Sequence, residues 1–323
     1  MQTLRSLAPF PPPLLRMAYV FFALICLLFG SNFMLMDRAK EVFSPAEIGL
    51  ARLWGGAAVL VIVVLWTRRS LRIDAKTLGK IAIVGLVANA YPFAMQPWLL
   101  ERGTDHSFLA MFVPLTPLLT IVASVPMLGI RPTWQQMLGV LGGLALLIWM
   151  SGDAEKHHLQ LRLLPLVLSV PLAYAISNTF LRRHLQHVSS LVLSTLILVT
   201  AGLFLLPLAI GEYVHQPPQG TRDEWTAAIA SLLVLGPLGT GACIGMFVHL
   251  VQEKGPLFAG MVTYIVPIVA LVWGYRDGEY ISTTQLIAMI GILAMVALVQ
   301  SSPCRLQLSS KEPRDTYQQD PSP

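Results

Sequence analysis

FLAMFVPLTPLLTIV at residues 108–122 and FAGMVTYIVPIVALV at residues 258–272 are two copies of one segment. Phe108, Met111, Pro117 and Val122 in the first copy meet the same residue types at Phe258, Met261, Pro267 and Val272. Beyond a one-residue deletion the register continues, with Gly129, Gln136, Gly142, Leu144 and Ala145 meeting Gly278, Gln285, Gly291, Leu293 and Ala294. Both copies have the outline of an apolar run, a short loop and a second apolar run, so the chain reads as a duplicated helix bundle. A further echo, Gly30-Ser31-Asn32-Phe33 against Ser177-Asn178-Thr179, carries the duplication back to the start of each half. The repeat units are then residues 17–151 and 162–300.

Of 323 residues, 55% are hydrophobic and 12% charged, against about 25% charged in an ordinary soluble domain. That balance predicts an all-α integral membrane protein. Crossing a bilayer takes about 20 apolar residues. Such runs fall at about 17–36, 46–66, 78–100, 107–128, 134–151, 162–181, 190–210, 225–251, 257–275 and 283–300, which predicts ten transmembrane helices. The runs are continuous rather than alternating, which excludes a β-barrel. Five helices per unit is an odd number, so the two units enter the membrane from opposite sides, as inverted repeats.

The net charge of +5 follows this topology and gives no reason to expect a nucleic-acid partner. With the N-terminus inside, Arg5, Arg16, Arg68, Arg69, Arg72, Lys76, Lys80, Arg131, Arg182 and Arg183 are among the inner cations, and about twice as many fall inside as outside. Both termini are therefore expected in the cytoplasm and the protein in the cell membrane. Cys26 and Cys243 lie within spans and Cys304 in the tail, with no disulfide framework or CxxC metal signature. The first span has cations ahead of it but no small-residue cleavage site behind it, and reads as a retained helix. Residues 1–16, with Pro11 to Pro13, read as an extended lead-in, and residues 301–323 as a disordered polar tail.

Proline separates two kinds of helix. Pro92 and Pro97, Pro114 and Pro117, Pro165 and Pro171, Pro237, and Pro267 fall in the third, fourth, sixth, eighth and ninth spans. Proline frees a backbone carbonyl, which within lipid is tolerated where neighbouring helices or a wet cavity satisfy it. These five helices are the expected inner set, with Pro114, Pro117 and Pro267 as gating positions. Gly139-x-x-x-Gly143 and Gly241-x-x-x-Gly245 are candidate sites of close helix approach.

Polar groups inside spans need partners. Asn32 and Asn178 recur in both halves and are read either as interhelical glue or as cavity lining. Asn89 and Gln96 punctuate the third span. Tyr174 lies one turn before Asn178 on the same helical face, a pair suited to present a hydroxyl and an amide to one ligand. Tyr264 lies one turn before Pro267. Arg52, about six residues or ~9 Å from the outer end of its helix, is within reach of snorkelling. His249 is a candidate proton-coupling group. No GxxxxGK[ST], HExxH or GxSxG is present, which removes the usual signatures of an ATP-driven pump, a metalloprotease and a serine hydrolase. The chain gives no sign of a cofactor or metal.

Gly30-Ser31-Asn32-Phe33, Leu50-Ala51-Arg52-Leu53, Thr116-Pro117-Leu118, Val266-Pro267-Ile268 and Gly278-Glu279, in this order over ten spans, resemble the drug/metabolite transporter superfamily, specifically proteins with two EamA-like domains. The chain departs from the pattern at Thr116, where the family often has an acid, and at Gly129-Ile130 in place of a first-half Gly-Glu. The resemblance implies two inverted five-helix EamA-like repeats around a cavity bounded by the first, third, fourth, sixth, eighth and ninth spans. It also implies alternating access for small organic metabolites, often export of amino acids. A cavity lined by Asn32, Asn89, Gln96, Tyr174, Asn178 and Tyr264 suits a neutral or zwitterionic cargo, with protons as a possible coupling ion. Two rival readings are an intramembrane lipid-modifying enzyme, using His249 with Glu253 or Glu101, and a non-transporting scaffold or sensor.

Overall fold

The computed structural model describes residues 12–129, 132–151, 158–254 and 262–301. Its helices are α1 Pro12–Ala39, α2 Pro45–Trp66, α3 Ala75–Gly85, α4 Tyr91–Glu101, α5 His106–Ala110, α6 Leu115–Leu128 and α7 Trp134–Ser151, then α8 His158–His184, α9 Ser190–His215, α10 Arg222–Leu235, α11 Cys243–Lys254, α12 Val262–Arg276 and α13 Thr283–Ser301. Two π-helical turns, Leu86–Ala90 and Pro237–Ala242, join α3 to α4 and α10 to α11. They occupy equivalent places in the two halves. The lead-in before residue 12 and the tail after residue 301 lie outside the described residues, as do Phe258 and Met261.

Helix starts follow local chemistry. Ser44 with Glu47 opens α2 and Thr221 with Glu224 opens α10, each a reciprocal capping box. Asp74 opens α3, accepting from the Thr77 amide, and that bond holds its carboxyl below the ordinary carboxylate value.

Ten spans were the expectation from hydropathy. The described residues contain six helical stretches of membrane length, Met17–Ala39, Pro45–Trp66, Ala75–Glu101, Arg162–His184, Ser190–His215 and Arg222–Phe247. Four further apolar stretches, counted over the described residues alone, are Leu115–Leu128, Trp134–Trp149, Val262–Arg276 and Thr283–Val299. At 107–128 the shortening has a clear cause. Pro114 and Pro117 have no N–H to offer the carbonyls four residues earlier. Those carbonyls, of Ala110 and Val113, accept instead from Val113 and Thr116, both at 3.1 Å. The chain tightens through Met111–Pro114 and restarts as α6.

Contacts between helices run chiefly across the two halves. α2 packs on α9, α7 on α13, α6 on α8, α1 on α12, α3 on α9, and α2 on the second π-turn. Counting each π-turn with the helices it joins as one span, exchanging equivalent spans of the halves leaves this set unchanged, the signature of a pseudo-two-fold arrangement. Directions follow from the ends. Arg38 near the end of α1 pairs with Asp277 just past α12, and Asp277 also meets His106 at the start of α5. At the far end of α6, the Met127 carbonyl accepts from Arg183 near the end of α8. The opening helices of the two halves, α1 and α8, thus finish at opposite ends of the bundle.

Small residues allow the tightest of these contacts. Gly55 and Gly56 of α2 lie against Gly236 and Gly241, and a Cβ on Gly241 would sit 2.7 Å from the Gly56 carbonyl oxygen. In α7, Gly139 lies against Val299 and the Met295 carbonyl of α13, and Gly143 against Leu118. The second predicted pair is only half used, because Gly245 has open space around it.

Candidate functional site

Between the halves lies a cavity of about 50 Å³. From the first half it is walled by Gln96 of α4, Phe112 at the proline break and Thr116 of α6; from the second, by Val167, Pro171 and Tyr174 of α8. Two of the six sequence candidates, Gln96 and Tyr174, therefore face each other across the seam. The break beside Pro114 brings Phe112 and Thr116 to the wall, which spacing alone did not reveal.

The remaining candidates sit elsewhere. Asn32 is 6% exposed and donates to the Gly239 carbonyl at 3.1 Å. That bond ties α1 to the second π-turn, and Asn32 is not among the residues that wall the cavity. Gly239 leaves room for it, since a Cβ there would collide with the Asn32 Oδ1. Gly239→Ala is expected to destabilise by roughly 1–3 kcal/mol and Asn32→Ala by about 1 kcal/mol. The double variant should cost less than the sum, because removing the amide relieves the clash; a double-mutant cycle on detergent melting curves checks this.

Asn89 is half-buried in the first π-turn. Asn178 is exposed although Tyr174 lines the cavity. The buried side of α8 passes through Ser177, 3% exposed, and four residues on from Tyr174 the side chain has rotated off it. Tyr264 packs on the main core with its hydroxyl buried and, among the described residues, without a hydrogen-bond partner. Pro267 is buried within α12. The side chains of His249 and Glu253 lie outside the described residues.

Arg52 does not snorkel. It is 5% exposed and turned into the bundle, its guanidinium carbon 3.9 Å from the Phe93 ring centroid. Its Nη1 donates to Met36 Sδ at 3.0 Å and Gln96 Oε1 at 3.4 Å, while Nε has no partner among the described residues. Helix reach made both directions possible; Met36, Gln96 and the Phe93 ring are the partners met on the inward side.

A second polar constellation closes one end of the seam. Glu279 accepts from the backbone amides of His106 at 2.7 Å and Ser107 at 3.2 Å, which are among the unpaired first amides of α5. His106, 1% exposed, also lies 3.3 Å from Asp277, and Asp277 accepts from Arg38 at 2.5 Å. Gly278 turns between the two acids with φ +79°, a conformation open to glycine. The Gly278-Glu279 pair thus fastens the second half to α5 of the first. Across the seam Trp273 Nε1 donates to Ser31 at 2.8 Å, and Tyr91 bonds Ser169.

Comparison with known proteins accords with this architecture. No curated protein matches the chain. Thirteen chains of solved structures match. One crystal structure superposes with a TM-score of 0.58 at 17% identity, over 87% of this chain and 95% of its own, a likeness of fold. The EamA-like transporter family matches twice, at residues 16–152 and 162–301. The chain belongs to the EamA-like transporter family, within the drug/metabolite transporter superfamily.

Proposed function

We propose that the protein is a secondary transporter of small polar or amphipathic metabolites, zwitterions such as amino acids among them, and that it exports them from the cell by alternating access. In this reading its ten apolar segments span the cell membrane as two inverted five-helix repeats with both termini in the cytoplasm. The observation that carries it is the placement of the cavity at the seam, with Gln96 and Thr116 from one half and Tyr174 from the other. At about 50 Å³ it holds a water or two, whereas small-molecule sites run to hundreds of Å³. Cargo therefore requires the halves to part, and a hinge between repeats opens such a seam to one face at a time. Pro114 and Pro117 at the break, and Pro267 in the counterpart helix, are the positions at which that movement bends the chain. Asn32, Asn89, Asn178 and Tyr264 support the movable elements around it.

Counterflow in proteoliposomes tests the reading. Purified full-length protein, preloaded with unlabelled amino acids or small amines, is expected to show trans-stimulated entry of the labelled compound. Correctly inserted, folded protein that exchanges nothing across such a panel would favour a lipid-modifying enzyme or a scaffold. A pH gradient that alters the rate in wild type but not in His249→Gln assigns proton coupling to His249; equal dependence in both removes it.

A further inference from the structure

A guanidinium carries five N–H donors and its charge at any physiological pH. Inside this bundle Arg52 satisfies one nitrogen with a thioether sulfur and a long bond to Gln96 Oε1, and leaves Nε with nothing. Among the described residues it makes no ion pair, and its guanidinium lies over the Phe93 ring. Burying a cation without a carboxylate is costly, and a methionine or leucine would fill the same space without that cost. Arg52 therefore retains hydrogen-bonding capacity that the folded chain does not use.

The place of that unused capacity is specific. Gln96, which holds the guanidinium, is itself a wall of the seam cavity, and Tyr174 lines the same cavity from the other half. The rest of the wall, including Phe112, Val167 and Pro171, is apolar.

Resting on the carrier reading above, we infer that Arg52 is the anion-recognising group of the cavity and that the cargo is a small amphipathic monocarboxylate or zwitterion. The carboxylate displaces the Gln96 amide and takes the guanidinium through two parallel N–H···O bonds. Its apolar body lies on Phe112, Val167 and Pro171, and the Tyr174 hydroxyl is placed to donate as well. One cation in an apolar cavity matches one negative charge. A phosphoryl group, with about two, would need more. Gln96 acts as the resting partner that the cargo must displace, so its loss should strengthen binding of acids.

The test uses shape-matched probes in counterflow: phenylalanine, 3-phenylpropionate, phenylalaninamide and phenethylamine, with leucine, 4-methylvalerate, leucinamide and isoamylamine as a second set. In wild-type protein the carboxylate-bearing members are expected to exchange at least tenfold better than the amides and amines. Arg52→Lys should keep that preference at a lower rate, and Arg52→Gln should reduce it to about onefold. Gln96→Leu should lower the half-saturating concentration for the acids several-fold without changing that for the amides, a result that a purely structural arginine does not produce. Amides or amines exchanged as well as acids by wild type, preference retained in Arg52→Gln, or acids and amides shifted alike by Gln96→Leu would each overturn the assignment while leaving a working carrier. Folded wild-type protein that exchanges none of the eight would overturn the carrier reading and this assignment with it.

Discussion

Gly241→Leu is expected to abolish the folded protein, while Gly245→Leu, one helical turn on, should leave it nearly unchanged. Gly241 lies in the second π-turn, where its Cα faces α2; an added Cβ would meet the Gly56 carbonyl oxygen at 2.7 Å and the Val59 Cβ at 2.9 Å. Neither contact is the flexible tip of a side chain, so relief requires α2 to move away. That motion would also open the adjoining contact of Gly55 with Gly236. Overpacking a core costs about 1–3 kcal/mol where side chains can adjust, and a clash against backbone in a two-helix contact belongs at or above the upper end. Gly245 has nothing within 4 Å of its would-be Cβ, and a substitution there should fall within about 0.5 kcal/mol of wild type. Recovery of a monodisperse peak from detergent, followed by thermal unfolding of that fraction, separates the two variants. Equal yields and equal melting points would mean that α2 does not rest on the π-turn as described.

Glu279→Ala should produce the second largest loss. The carboxylate satisfies two amides at the start of a five-residue helix, and the His106 ring beside it is 1% exposed. Removing it leaves two donors in a place that water reaches poorly, at about 1–3 kcal/mol for each unsatisfied group. The expected total is roughly 3 kcal/mol, read as a lower melting temperature. Glu279→Gln keeps an acceptor oxygen but not the charge, and should lie between alanine and wild type. Asp277→Asn, which weakens the contacts to Arg38 and His106 but leaves the α5 amides paired, should cost less than Glu279→Ala. An order in which Asp277→Asn is the more damaging would make the ion pair, not the capping of α5, the main fastening.

How far the sequence carries varies with the kind of signal. Duplication was legible because Pro117 with Pro267 and Gly129 with Gly278 need no knowledge of orientation. Break points were legible as prolines but not as shapes: Pro114 and Pro117 announced a disturbance near 107–128, and only the rearranged bonds of Ala110 and Val113 show that one span becomes two pieces. Orientation was the weak link. Asn32 and Asn178 share a motif, yet the first is buried and bonded to the Gly239 carbonyl and the second is exposed. A spacing of four drifts by about 40°, enough to move Asn178 off the face that Tyr174 occupies. Arg52 posed the same problem in reverse, since a long side chain reaches either a wet helix end or an inner ring. Glu279 was noticed as part of a motif, but that it caps a helix of the other half depends on contacts between residues more than a hundred positions apart.

The pairing of helices across the halves bears on how such a chain could have arisen. Because α2 rests on α9, α6 on α8 and α7 on α13, a single unit cut from the rest would expose the surfaces that its own partner now covers, with few internal contacts to replace them. A single unit of this architecture is therefore not expected to stand as a monomer. It would need a second copy of itself, inserted upside down in the same bilayer. Joining both copies in one chain fixes their stoichiometry and leaves each half free to differ, and the two do differ where Ile130 stands opposite Glu279.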